Sequence, residues 1–291
     1  MTLSPQERLA QTPTSAQDVR ADAERGSGWY AALARTGLVA KGISYCIVGG
    51  LAIGVAIGSG GKATSRTGAL QALAQNTWGK ILLVVLAIGF AAYVLWRAVQ
   101  AFAEREDGER DEKKGAAKKW GKRAGYLGRG AIYAALTAST VKILIGAGTQ
   151  SQNAKAKSST AMVLGWPGGR WIVGAAGVAL IGAAFWNLYR GLSHKFEDNW
   201  RPGAARKWGG RAGLVGHVAR AVVFGLIGVF FIKAAAQYDP KEAIGLDGAL
   251  HKLAHASYGP YLLGLTAAGL IAYGLFCFVD ARYRDVSVGS S

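Results

Sequence analysis

Arg123-Ala124-Gly125-Tyr126-Leu127-Gly128-Arg129-Gly130-Ala131-Ile132-Tyr133 has a near-copy on either side of it at equal spacing. Upstream stands Arg35-Thr36-Gly37-Leu38-Val39-Ala40-Lys41-Gly42-Ile43-Ser44-Tyr45, and downstream Arg211-Ala212-Gly213-Leu214-Val215-Gly216-His217. Self-similarity at a fixed period marks a repeat architecture, so the chain reads as three tandem copies of one unit. Each copy places a basic residue and a glycine at the start of a long apolar run, with a second basic or imidazole side chain about a turn and a half further in. In this register Lys41, Arg129 and His217 occupy equivalent places.

Working outward, 51% of the residues are hydrophobic and they gather in separate runs. Six runs, near 37–58, 79–101, 127–147, 170–192, 213–236 and 260–279, reach the ~20 residues that a bilayer span requires. The expected fold is all-α: an integral membrane six-helix bundle of three two-helix repeats around a pseudo-threefold axis. The repeats are placed at 29–110, 118–200 and 206–284. A polar tail over 1–28, without a sustained apolar face or a signal-peptide apolar region, precedes them, and a short tail over 285–291 follows.

The formal charge of +17 would suggest nucleic acid in a soluble chain, but its distribution points elsewhere. Residues 102–126 hold 8 Lys and Arg, whereas the alternate loops 59–78, 148–169 and 237–259 hold 2 each. That is the positive-inside asymmetry, which places both termini on the cytoplasmic side of a bacterial inner membrane and leaves no call for a nucleic-acid partner. Trp29, Trp120 and Trp208 stand near the starts of the first, third and fifth runs, as interfacial anchors do. Cys46 and Cys277 both fall inside runs and read as small apolar side chains.

The second halves repeat as well. Gly68-Ala69-Leu70-Gln71-Ala72-Leu73-Ala74 matches Gly248-Ala249-Leu250-His251-Lys252-Leu253-Ala254, with a shorter, divergent version over 160–166, and these read as short interfacial helices. The closing spans align on Gly89 to Arg97, Gly182 to Arg190 and Gly269 to Cys277. With the R-x-G-x-x-x-[KR]-G-x-x-Y openings and the Tyr273-Gly274-Leu275-Phe276-Cys277-Phe278-Val279-Asp280-Ala281-Arg282-Tyr283-Arg284 ending, the chain resembles the bacterial membrane proteins grouped as domain of unknown function 1206. The resemblance runs from about Trp29 to Arg284. It implies six spans in three repeats and no assigned activity.

A ring of Lys41, Arg129 and His217 would make a basic ligand site near the cytoplasmic surface for a phosphate, a carboxylate or an anionic lipid headgroup. The competing reading is snorkelling, in which long cationic side chains reach back to the headgroups. Arg97 and Arg190 pose the same choice, and Cys277 interrupts their ring. No Asp or Glu lies within the spans before Asp280, which disfavours a proton- or cation-coupled pump. Asp247, His251 and His255 share one helical face, but repeat one has Thr67, Gln71 and Gln75 there, so a polar face is preferred to a metal site. Phosphate-loop, nucleophile-elbow, zinc-protease and paired Cys-x-x-Cys motifs are all missing, so neither an enzyme nor a cofactor is expected. The expected role is a membrane scaffold or a lipid- or partner-binding protein, with membrane lipids as partners. The alternative is a carrier or channel for a small anion along the axis between the repeats.

Overall fold

The computed structural model describes residues 16–58, 66–103, 116–147, 150–197, 200 and 206–284. The 104–115 part of the basic loop, the first 15 residues and the 285–291 tail lie outside the described residues. Among the described residues there are nine α-helices, one short 3-10 turn at Pro240–Glu242 and no strand: α1 (Ala16–Ala56), α2 (Arg66–Leu73), α3 (Thr77–Ala103), α4 (Ala116–Leu144), α5 (Gln152–Leu164), α6 (Gly169–Leu192), α7 (Arg206–Gln237), α8 (Leu246–Ala254) and α9 (Gly259–Tyr283). Helix α1 already begins at Ala16, inside the polar leader.

Among the described residues, five helices are long and apolar enough to cross a membrane: the Gly28–Ala56 part of α1, then α3, α6, α7 and α9. The shortest of them, α6, has 24 residues and so measures roughly 36 Å, more than the ~30 Å of a hydrocarbon core. Helix α4 matches them in length, with 29 residues, but Arg129, Lys142 and a run of hydroxyls dilute its apolar content. Thr137, Ser139 and Thr140 each return a hydrogen bond to the carbonyl four residues back, so those hydroxyls are satisfied within the helix.

The three repeats share one hairpin construction: long helix, short helix, tight turn, long helix. The short helices are α2, α5 and α8; the middle one, expected to be the shorter version, is the longest at 13 residues, and Ser151 caps its start by accepting from the Ala154 N–H (3.1 Å). Each closing helix has a glycine at or within two residues of its start, Gly79, Gly169 or Gly259, lying against a carbonyl of the short helix before it: Leu73, Val163 and Ala254 respectively. A Cβ at any of the three would collide with that carbonyl, so the turn demands glycine three times over.

Packing runs in a chain around the molecule. Helix α1 packs on α3 and α9, α3 on α4, α9 on α7, and α7 on α6. The buried clusters lie between neighbouring helices. Leu86, Phe90, Tyr93 and Trp96 of α3 pack with Leu38 of α1 and Tyr133 of α4, while Tyr45 and Val48 of α1 meet Leu270, Tyr273 and Phe276 of α9. One junction is different, because α4 and α6, the two long helices of repeat two, do not pack extensively on one another. Exposed aromatic residues mark both ends: Trp29 at the start of the apolar part of α1, Trp120 and Trp208 in the first turns of α4 and α7, and Trp78, Trp171, Tyr258 and Tyr261 at the starts of the closing helices. Two such belts are what the two faces of a bilayer favour.

Candidate functional site

The helices enclose a cavity of about 580 Å³. Its chemistry is graded along its length. Toward the end of the bundle where α3, α6 and α9 finish, Lys41, Arg97, Arg129, Arg190, Arg220 and Arg284 line it. Further along, the walls become apolar, with Ile132 of α4, Leu180 of α6 and Phe224, Ile227 and Phe231 of α7. Gln152 and Lys155 of α5 complete the opposite end, where the Lys155 ammonium donates to Ser139 Oγ (3.1 Å). Asp280 is the sole acidic side chain among the described lining residues.

Two tyrosines at matching places hold three of these six cations, Lys41, Arg97 and Arg220. The Tyr273 hydroxyl accepts from Lys41 Nζ (2.8 Å) and from Arg220 Nη1 (2.6 Å). Its ring also faces both, at 4.9 and 4.5 Å from the centroid. The Tyr93 hydroxyl accepts from Arg97 Nε (3.0 Å) and Nη2 (2.8 Å), and the guanidinium lies over the Trp96 ring at 4.2 Å. Arg284 approaches the same Trp96 ring at 5.2 Å. Since Lys41 and Arg220 share one acceptor, their charged nitrogens are within about 5 Å of each other, a repulsion of roughly 3 kcal/mol at an effective dielectric of ~20.

Asp280 does not neutralise this group. Its carboxylate accepts from Trp200 Nε1 (2.9 Å) and pairs with Arg284 (3.2 Å), so its charge is already matched. The buried Arg220 Nε–H has no hydrogen-bond partner. Among the described residues, Arg129 and Arg190 likewise have no hydrogen-bond or ion-pair partner. Arg129 is exposed and Arg190 half-buried, so the demand for a negative charge comes from the buried Arg220 N–H and from the mutual repulsion of cations gathered on one wall.

All three residues singled out from sequence, Lys41, Arg129 and His217, line this cavity, but they differ in kind. Lys41 and Arg129 present cationic groups. His217 is only 2% exposed, donates from Nδ1 to the Gly213 carbonyl (2.7 Å) and stacks on Phe196 at 5.1 Å, so it fills an aromatic cluster. Repeat three is registered three residues later than its first Arg-x-Gly suggests. Gly216 faces Tyr273 as Gly37 faces Tyr93, and Ala219 meets Gly269 as Ala40 meets Gly89. Arg220 is therefore the counterpart of Lys41, and Phe224 that of Tyr45. Arg284, two turns beyond Cys277, supplies the cation that the closing-helix alignment lacked. His251 and His255 stack at the exposed surface of α8, and among the described residues no group of three or more metal-ligating side chains is gathered.

The same register emerges from comparison with known proteins. The sequence pattern described as Domain of Unknown Function (DUF1206) matches three times, over 36–104, 124–194 and 215–284, and the chain belongs to that family. Lys41, Arg129 and Arg220 are each the sixth residue of a matched segment. Over 263 residues the chain is also 30% identical to the uncharacterized protein YxxB of Bacillus subtilis (strain 168), a match covering 89% of this chain and 93% of that one. No solved structure matches it.

Proposed function

We propose that this is a six-span protein of the bacterial cytoplasmic membrane, with both termini inside and α4 as the sixth span, which binds an oxyanion in the cavity between its repeats. The observation that carries this reading is the cationic half of the cavity, where Lys41, Arg97, Arg129, Arg190 and Arg220 converge and Asp280 is committed to Arg284 and Trp200. A phosphate or carboxylate there would relieve the mutual repulsion of the cations and accept from the Arg220 Nε–H. The role is binding without bond-making chemistry: the described lining sets cations and tyrosines against apolar side chains, and its Lys155 is engaged as an ammonium donor to Ser139 Oγ. A closed scaffold packed along its axis fits the lining less well.

The test is equilibrium binding to the purified protein in neutral detergent, using glycerol phosphate as the probe and glycerol as the uncharged control. Saturable binding that weakens with salt, and at least tenfold with the Arg129→Gln/Arg220→Gln double variant, is expected. Equal responses to glycerol and glycerol phosphate, or an unaltered double variant, would refute an anion site. A carrier is the second reading, favoured by the cavity's extension to Gln152 and Lys155 at the opposite end. Phosphate-monoester efflux from liposomes containing the protein, against protein-free liposomes, separates carrier from binder.

A further inference from the structure

The site has a side entrance, and it lies at one particular seam. In repeats one and three the long helices close on each other through small residues. Gly37 abuts Tyr93, where a Cβ would lie 2.7 Å from the Tyr93 Cβ, and Gly216 abuts Tyr273, where it would lie 2.6 Å from the Tyr273 Cα. Repeat two carries the same small residues at the same register, Gly125, Gly128 and Gly182, with Trp186 in the place of the tyrosine. Around all three of these glycines there is open space. Helices α4 and α6 therefore stand apart although their side chains are small enough to pack closely.

The groove left between them is lined with apolar groups, and it communicates with the cations. Ile132 on α4 and Trp186 on α6 line the cavity while remaining 57% and 53% exposed, so they form its lateral margin. Arg129, one turn from Ile132, and Arg190, one turn from Trp186, stand at the basic end of that margin. An occupant following this surface meets hydrocarbon-like side chains first and then a cluster of guanidinium groups. Free phosphate would use the second part only. A molecule with an anionic head and an acyl tail would use both, and it could reach the site sideways from the bilayer.

We infer that the ligand of the cationic cavity is an anionic membrane lipid, which enters between α4 and α6 with its headgroup oxyanion against Arg129, Arg190 and Arg220 and its acyl chain along Ile132, Leu180 and Trp186. This inference rests on the oxyanion-binding reading and specifies where the oxyanion comes from. The open seam is then the part of the three-repeat design modified to admit a chain, and the closed seams of repeats one and three hold the other walls in place.

The test compares dioleoyl phosphatidate, dioleoylglycerol and glycerol phosphate on delipidated protein in neutral detergent, with binding read by native mass spectrometry and by competition. Phosphatidate is expected to bind at least tenfold more tightly than glycerol phosphate, and dioleoylglycerol is expected not to compete. Ile132→Trp, which narrows the seam at an exposed position, should weaken phosphatidate at least tenfold and leave glycerol phosphate within twofold. Phosphatidate brominated on its acyl chain should quench tryptophan fluorescence in the wild type, and the quenched component should vanish in Trp186→Phe. Equal affinities for phosphatidate and glycerol phosphate, or an Ile132→Trp variant and a Trp186→Phe variant that behave like wild type, would overturn lateral lipid entry while leaving an anion site intact. Failure of both anions to bind would overturn the inference and the anion site together.

Discussion

The shared phenol of Tyr273 offers the sharpest perturbation, because Tyr273→Phe removes one oxygen and keeps the ring that Lys41 and Arg220 face. The oxygen accepts two charge-assisted hydrogen bonds, of 2.8 and 2.6 Å. Hydrogen bonds to charged groups contribute about 1.5–3 kcal/mol each, so two would give about 3–6 kcal/mol if nothing replaced them. Water admitted to the cavity can take over part of the work, which brings the expected destabilisation to about 2–4 kcal/mol. In a chain of this size that corresponds to a fall in melting temperature on the order of 5–10 °C, measured on purified protein in detergent without added anion. The sign reverses for ligand response. With their resident acceptor gone, Lys41 and Arg220 should turn to a bound oxyanion, so a saturating phosphate monoester should stabilise the variant by more degrees than it stabilises the wild type. A variant that melts with the wild type in the absence of anion, or gains less from anion than the wild type does, would refute the claim that Tyr273 holds these two charges in check.

Glycine substitutions should separate the closed seam from the open one: Gly216→Val, forced against the Tyr273 backbone, should cost about 1–3 kcal/mol or more and broaden the size-exclusion profile, while Gly125→Val, with open space around it, should leave both thermal stability and the profile unchanged. Asp280→Asn withdraws the carboxylate that Arg284 and Trp200 share, so it should lower the melting temperature and raise affinity for a phosphate monoester by a few-fold, because an uncompensated guanidinium then joins the cavity. Raising the salt from about 0.05 to 0.5 M should weaken anion binding severalfold by titration, and binding indifferent to salt would count against a site built from cations.

The repeat, the apolar runs and the first-half cations were readable because they are local patterns. Lys41 and Arg129 stand out as charges within apolar stretches, and that alone placed them among the candidates. Arg220 was hidden by a coincidence of composition: Arg211-Ala212-Gly213 imitates the Arg-x-Gly opening three residues too early and brings His217 into the place that belongs to Arg220. The spacing of basic residues cannot resolve such a slip. The helix–helix contact can, since the glycine that lies against the closing-helix tyrosine fixes the register. Arg284 escaped for another reason: it stands two turns beyond the buried Cys277, just past the end of α9, and only the cavity shows that its guanidinium joins the other cations.

The opening between α4 and α6 lies beyond sequence patterns, because repeat two carries the same small residues as the repeats that close. Yet the consequence of that opening is written in composition. A helix with lipid on one flank and a wetted, cationic cavity on the other needs apolar side chains over only part of its circumference. Helix α4 has that character: Leu127, Ile132 and Val141 are exposed, Tyr133 and Leu136 are packed against α3, and Arg129 is turned into the cavity. A hydropathy average along the chain sums those faces together and falls below what a span surrounded by lipid and apolar helices would give. On this argument the low apolarity of α4 and the lateral opening have one cause. Replacing Arg129 with leucine should raise the helix's membrane-insertion propensity in a translocation assay by ~3 kcal/mol at most, while weakening the anion response severalfold. Loss of neither, or loss of both insertion and binding, would break the link between the two.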